Sequence, residues 1–95
     1  MRLRWHRQAL NDLNGIHDYI AKESPAAARR VVLSIRDQAK LLLQHPAIGR
    51  PGRLPETREL VISRYPYIVA YRERGDVIEI LLVVHTSRLW PEQLP

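Results

Sequence analysis

The fold is decided by one strongly strand-like stretch, Val77-Ile78-Glu79-Ile80-Leu81-Leu82-Val83-Val84-His85. It is rich in aliphatic and β-branched residues, which is typical of a β-strand. Strict alternation predicts that one set of side chains covers the helices, namely Ile78, Ile80, Leu82 and Val84. The opposite face would then carry Val77, Glu79, Leu81, Val83 and His85.

Two further strands are predicted directly before this one, over residues 58–64 and 67–72. Arg74-Gly75-Asp76 supplies the tight turn into the last strand, so the three strands form an antiparallel meander. Alternation leaves two possibilities open for the strand over residues 67–72. Its core-facing set is either Tyr67, Val69 and Tyr71 or Ile68, Ala70 and Arg72.

Two helices are predicted upstream, after a first short strand over residues 3–5. The first runs over residues 8–22, with apolar residues on one helical face at Ala9, Leu13, Ile16 and Ile20. The second runs over residues 25–44, with Ser24 as its N-cap and Pro25 at its first position. Its buried face is predicted to carry Ala28, Val31, Ile35, Ala39 and Leu42. The short connection forces the two helices into an antiparallel hairpin.

The predicted fold class is therefore α+β, with the order β-α-α-β-β-β. The helical hairpin packs on one face of a small, twisted, mainly antiparallel sheet. The 95 residues suffice for a single domain over residues 1–95. Residues 45–57 hold three prolines and two glycines and are predicted to form a long loop.

Composition restricts the class of protein further. The chain has no cysteine, which excludes disulfides and thiolate zinc sites. No window is long and apolar enough for a membrane span, and the first residues lack the apolar core of a signal peptide. We therefore expect a cytoplasmic protein without membrane association.

The charge of the chain is strongly basic, at +5 with a pI of about 10.2. Arginine supplies nearly all of it, because the only lysines are Lys22 and Lys40. Arginine presents a planar fork that suits phosphate and carboxylate groups. The partner is thus either a nucleic acid or an acidic protein, unless the charge only solvates the surface.

Several arginines are concentrated in the second half of the chain, at Arg50, Arg53, Arg58, Arg64, Arg72, Arg74 and Arg88. They can form a basic rim around the uncovered sheet face and bind phosphates or an acidic peptide. Alternatively, they are edge charges that prevent strands from pairing with other chains. Gly52 is expected to let the backbone between Arg50 and Arg53 approach a ligand closely.

His85 ends the last predicted strand, with Arg88 three residues further on. Such a pair can act as general acid and phosphate clamp in RNA cleavage. Alternatively, His85 hydrogen-bonds the tail, and Trp90 packs that tail onto the domain or faces a partner. The histidines show no metal-ligand spacing, and no phosphate loop or nucleophile motif is present, so no cofactor or metal is expected.

Several stretches together resemble the ParE-type toxins of the RelE/ParE superfamily. They are Gly49-Arg50-Pro51-Gly52-Arg53, Thr57-Arg58-Glu59-Leu60-Val61, Tyr67-Ile68-Val69-Ala70-Tyr71-Arg72 and the ending Val83-Val84-His85-Thr86-Ser87-Arg88-Leu89-Trp90-Pro91. Upstream, the pattern of Ala9, Asp12, Leu13, Ile16, Tyr19 and Ile20 and the helix start at residues 25–30 agree with it as well.

The resemblance implies a toxin of a type II toxin–antitoxin module with the fold predicted above. Such toxins form hetero-oligomers with a cognate antitoxin, whose acidic or amphipathic C-terminal segment wraps around the toxin. The N-terminal part of the antitoxin binds DNA. No cofactor is implied.

The superfamily has two kinds of target. ParE-type members bind DNA gyrase and stabilise a DNA-cleavage state. In that case Arg50, Arg53, Arg58, Arg72, His85, Arg88 and Trp90 are expected to contribute to the target or antitoxin surface. The resemblance favours this branch, because Ile68 stands where RelE-type members typically carry an arginine and no lysine follows Lys40.

RelE-type members instead cleave mRNA on the ribosome without a metal. In that alternative the catalytic candidates are His85 for proton transfer and Arg58, Arg72 and Arg88 for phosphate binding. A third hypothesis is a family member that has lost toxicity and only binds its antitoxin.

Overall fold

The stretch Val77–His85 forms the longest strand of the sheet in the computed structural model, which describes residues 1–87. The elements in chain order are β1 Arg2–Trp5, α1 Arg7–Ala21, α2 Pro25–Lys40, β2 Arg50–Pro51, β3 Arg58–Val61, β4 Tyr67–Arg74 and β5 Val77–His85. The strands form one sheet in the order β1-β5-β4-β3-β2. All neighbouring pairs are antiparallel except β1 with β5, which is parallel. The α+β prediction is confirmed.

One strand was not predicted. Arg50 and Pro51 form β2 inside the predicted loop over residues 45–57, and they pair with Glu59 and Arg58 of β3. A two-residue strand leaves no alternation to detect. Proline has no N–H to donate to a ladder, so this strand is confined to the sheet edge, where the structure places it.

The helical hairpin forms as predicted. The Ser24 hydroxyl accepts a hydrogen bond from the Ala27 N–H at 3.1 Å, and Pro25 opens α2. The predicted face of α2 is buried. The helix ends at Lys40, earlier than predicted, and continues as a 3₁₀ turn over Leu41–Leu43 that still buries Leu42.

A β-bulge in β5 changes which of its side chains face the helices. Ala70 of β4 pairs with Leu82 whereas Tyr71 pairs with Ile80, so Leu81 is the extra residue. Beyond the bulge the two faces exchange, and Val83 rather than Leu82 joins the core beneath the helices. The prediction was therefore right for Ile78 and Ile80. It was wrong for Leu82 and Val84, which lie on the other side, and for Val83 and His85, which lie on the helix side.

The bulge is held in place by the first helix. The Val83 N–H donates a hydrogen bond of 2.9 Å to the Asp12 carboxylate of α1. This contact satisfies a backbone group near the irregular part of the ladder. It also ties the helical layer to the centre of the sheet.

Both faces of β4 are buried. Tyr67, Val69 and Tyr71 belong to the core beneath the helices, which settles the alternative left open by the sequence. Ala70 belongs to a second apolar cluster on the other side of the sheet, together with Leu54, Leu81 and Leu82. We call that side the outer sheet face. Within residues 1–87, no helix is long and apolar enough to cross a membrane.

Candidate functional site

Glu59 is the centre of a first charged cluster on the outer sheet face. It lies opposite Arg50 of β2 and opposite Ala70 of β4, and it is only 3% exposed. The Arg50 guanidinium donates to Glu59 Oε1 at 3.0 Å. The Arg53 side chain and backbone N–H donate to Oε2 at 3.1 and 2.9 Å.

These contacts determine the protonation of Glu59. Burial alone would raise its pKa, but hydrogen bonds from Arg53 and Arg50 outweigh that effect and hold the pKa below its ordinary value. The ionised carboxylate fixes two guanidinium groups that are about half exposed. The cluster therefore presents oriented donors to solvent.

Glu79 is the centre of a second charged cluster on the same face. Its Oε1 accepts from Arg72 Nε at 2.8 Å and lies 3.5 Å from Arg74 Nε. Its Oε2 lies 2.8 Å from His6 Nε2. Hydrogen bonds from Arg72 and then His6 lower the pKa of Glu79 to about 2, against the opposing effect of burial.

The strand register places the two clusters on one surface. Ala70 faces Glu59, and Arg72 follows two residues later on the same side of β4. The apolar cluster around Leu81 and Leu82 lies on the same face. The outer sheet face thus combines arginine-bound carboxylates with apolar side chains.

Arg58 lies on the opposite side of the sheet. It pairs with Tyr71, which belongs to the core beneath the helices. Its guanidinium donates to the carbonyl of Gly49 at 2.9 Å and to that of Ala47 at 3.4 Å. The Tyr71 hydroxyl donates to the Pro46 carbonyl at 2.7 Å and accepts from the Gly49 N–H at 2.9 Å. Arg58 and Tyr71 therefore hold the loop before β2.

Gly49 and Gly52 approach other parts of the chain closely. A Cβ on Gly49 would meet the Tyr71 ring at 2.7 Å, and one on Gly52 would clash with the Thr57 side chain. The backbone at Gly52 therefore lies against Thr57 of the same loop. The expected close approach exists, and Thr57 occupies the space where a ligand was expected.

His85 lies at the end of β5, opposite Tyr67 and on the helix side of the sheet. Its ring meets the Tyr67 ring edge-on, with centroids 5.3 Å apart. Its Nδ1 accepts from the Ser87 N–H at 3.1 Å and lies 2.8 Å from the Ser87 hydroxyl. These contacts match the interpretation of a histidine that hydrogen-bonds the start of the tail.

The structure therefore separates the predicted site residues into two groups. Arg50, Arg53 and Arg72 share the outer sheet face, whereas Arg58 and His85 lie on the helix side. Because His85 pairs with Tyr67 and Arg72 is five residues further along β4, about 17 Å separates them along the strand. Arg88 and Trp90 lie outside the described residues.

Sequence reasoning missed the two buried carboxylates and His6. Glu79 stands within the otherwise apolar residues 77–84, and Glu59 comes directly before the apolar residues 60–62. A carboxylate in such a position is a signal that a buried charge has partners nearby. That signal was available, but the partners depend on register. Across residues 1–87, no three His, Asp or Glu side chains are grouped so that they could hold a metal ion.

Comparison with known proteins agrees with this architecture. A family model described as ParE toxin of type II toxin-antitoxin system, parDE, matches residues 3–90. The chain is 48% identical over 93 residues to the putative toxin Y4kP of Sinorhizobium fredii (strain NBRC 101917 / NGR234), covering 98% of this chain and 96% of the relative. It is 36% identical over 85 residues to toxin RelE2 of Caulobacter vibrioides, covering 90% and 94%.

The fold has a close counterpart among solved structures. A chain in the chromosomal ParDE TA system from P. aeruginosa superposes with a TM-score of 0.83 at 33% identity, covering 92% of this chain and 97% of that one. Fold and sequence together define a toxin of the type II toxin–antitoxin class. The chain belongs to the ParE toxin family.

Proposed function

We propose that this toxin inhibits DNA gyrase by binding it and is neutralised by a cognate antitoxin. Membership of the ParE family supports the proposal. The observation that carries it is that ion pairs hold the arginines of the outer sheet face in place. Buried, ionised carboxylates hold Arg50, Arg53 and Arg72 in place, which suits a preorganised binding surface.

The same geometry argues against His85 and Arg72 acting together on one phosphate, as the ribonuclease alternative would require of them. A general acid must lie within hydrogen-bond reach of the group that it protonates, and a phosphate clamp must contact the same phosphate. His85 and Arg72 lie about 17 Å apart along the strand and on opposite sides of the sheet. One scissile phosphate cannot reach both of them in this arrangement.

The antitoxin is proposed to bind through an acidic or amphipathic C-terminal segment, with a DNA-binding N-terminal part. The basic charge of +5 favours an acidic partner segment. The apolar outer-face cluster around Leu81 and Leu82 agrees with an amphipathic one. The wider set of predicted contacts, which adds Arg58, His85, Arg88 and Trp90, remains a prediction, as does action in the cytoplasm.

A supercoiling assay with purified gyrase tests the proposal. The toxin is expected to inhibit supercoiling and to increase the cleaved DNA released after protein denaturation. Arg50→Gln, which removes a half-exposed cation, should weaken inhibition, whereas Arg30→Gln on the exposed side of α2 should not. Circular dichroism checks that both variants fold. An active antitoxin-free toxin that leaves gyrase unaffected would refute the proposal.

The ribonuclease alternative has one supporting observation, the similarity to a relative named RelE2. Pulse-labelling of DNA and protein synthesis after induction separates the two functions. Inhibition of DNA synthesis first agrees with gyrase as the target. Early collapse of protein synthesis, with mRNA cleavage abolished by His85→Ala, would replace the proposal by the ribonuclease.

A further inference from the structure

Four arginines form two rows on the outer sheet face at the β1 side of the sheet. Arg2 pairs with Val77, which pairs with Arg74, and Arg4 pairs with Glu79, which pairs with Arg72. We call Arg2, Arg4, Arg72 and Arg74 the arginine quartet. The two arginines on each strand are two residues apart, which corresponds to about 7 Å. The strand β5 lies between the β1 arginines and the β4 arginines, which sets the two pairs about 10 Å apart.

The charges in this region are unbalanced. Glu79 is nearly buried and contacts Arg72 and Arg74 through their Nε atoms. The side chains of Arg2 and Arg4 are exposed, and they make no hydrogen bond or ion pair within residues 1–87. Among the described residues, Glu79 and Asp76 of the adjoining turn supply two carboxylates in this region, against four guanidinium groups.

The surroundings of the quartet favour a polyanion over a peptide. Peptide and protein partners usually bind through apolar or aromatic anchors that fill pockets. The β5 residues between the arginines are the half-buried Val77 and the buried Glu79, so neither row of arginines has an aromatic anchor between its members. Duplex DNA instead carries about one charge per 1.7 Å of its axis, so phosphates reach a flat array of arginines in any register.

We infer that the arginine quartet binds the phosphate backbone of duplex DNA without sequence preference. This goes beyond the proposed function, because it requires neither gyrase nor the antitoxin. For a toxin whose target is bound to DNA, the quartet would supply a second contact beside the protein–protein one. Glu79 contributes by holding Arg72 and Arg74 against the sheet.

Fluorescence anisotropy of a labelled DNA duplex over a salt series tests this inference with the purified toxin. The double variant Arg2→Gln, Arg4→Gln should bind about tenfold more weakly at low salt, and the slope of log affinity against log salt should fall by about 2. Since both side chains lack partners in the described part, the melting temperature should not change.

The matched control is the double variant Arg29→Gln, Arg30→Gln, which removes the same charge from exposed positions of α2. Little change in this control supports the quartet as the site. Equal loss in both variants would mean attraction by net charge alone and would overturn the inference. So would a quartet variant that loses binding to a polyglutamate peptide but keeps its affinity for DNA.

Gyrase inhibition by the same variants keeps the two proposals apart. A quartet variant that loses DNA binding yet still inhibits gyrase supports the quartet as a separate site. A toxin that binds DNA through the quartet but never inhibits gyrase supports this inference and refutes only the proposed function. Absence of DNA binding by the unchanged toxin at low salt overturns the inference whatever gyrase does.

Discussion

The carboxylate of Glu79 is almost completely removed from water, yet it stays ionised. Removal from water alone favours the neutral acid, but Arg72 and His6 hydrogen-bond to the charged form from two sides. The pKa of Glu79 is therefore about 2 in the folded chain, below the ordinary 4.5. Loss of this carboxylate would leave Arg72 poorly paired at a position that is mostly buried.

We expect Glu79→Gln to lower the free energy of unfolding at neutral pH by about 2–3 kcal/mol, as judged from the lowered pKa. A lowered pKa in the folded state stabilises above the unfolded value of 4.5 and loses its effect as the pH falls through about 2. Urea unfolding at several pH values measures this. The two proteins should converge over that window, while the exposed control Glu23→Gln should behave as the unchanged chain at neutral pH.

Asp12 of α1 stabilises a distant part of the fold, the bulge in β5. We expect Asp12→Ala to destabilise the fold by about 1–3 kcal/mol, because the Val83 N–H loses its acceptor. Asp12→Asn keeps a carbonyl acceptor and should cost clearly less. Thermal unfolding of both variants provides the comparison. Equal losses would show that the charge of Asp12, and not its hydrogen bond, stabilises the bulge.

Among the elements, those with long periodic patterns were predictable from sequence. The α1 and α2 faces follow the helical period, and Ser24 with Pro25 marks where α2 begins. β5 was located correctly, but its faces were not, because one extra residue at Leu81 reverses the alternation and leaves no mark in an all-aliphatic stretch. β2 was missed because two residues show no period.

The candidate site was predictable only in part, because composition can be read from the sequence and strand register cannot. The arginines are visible as an excess over lysine, so a basic surface follows from composition. Which arginines share a face depends on the strand register. Arg58 and Arg72 look equivalent in sequence, yet pairing with Tyr71 and with Glu79 puts them on opposite sides of the sheet.

The hydroxyl of Tyr71 holds the loop before β2 through two hydrogen bonds. We expect Tyr71→Phe to destabilise the fold by about 1–3 kcal/mol, because the Gly49 N–H and the Pro46 carbonyl lose their partner. Hydrogen exchange at the Gly49 amide should accelerate more than global unfolding explains. Tyr19→Phe, at an exposed tyrosine of α1, is the control and should leave both measurements unchanged. Slow exchange at Gly49 in the variant would contradict this role.

At the scale of the whole molecule, a single sheet joins the two ends of the described chain. β1 pairs with β5, and α1 packs on β5 as well, so the helical layer and the sheet share one core. This arrangement supports the proposal that residues 1–95 form one domain. Within residues 1–87, the helices and the sheet contribute to one shared hydrophobic core, and neither layer has a separate core on that side of the sheet.

We therefore expect a single cooperative unfolding transition, with an enthalpy at the midpoint of about 65 kcal/mol for 95 residues. Circular dichroism and tryptophan fluorescence should give the same midpoint, and the calorimetric and van't Hoff enthalpies should agree. Two separate transitions would mean that the helical hairpin or the meander unfolds independently, which would contradict the single-domain proposal.

The position of β5 in the sequence determines when the sheet can form during translation. The first strand of the sheet finds its partner only in residues 77–85, which a ribosome adds long after β1. Until then β4 also lacks the neighbour that covers one of its edges, and Glu79 is not yet present to hold Arg72. A nascent chain that stops before residue 77 is expected to be harmless. The folded surface that the two proposals require therefore exists only after residues 77–85 have emerged from the ribosome.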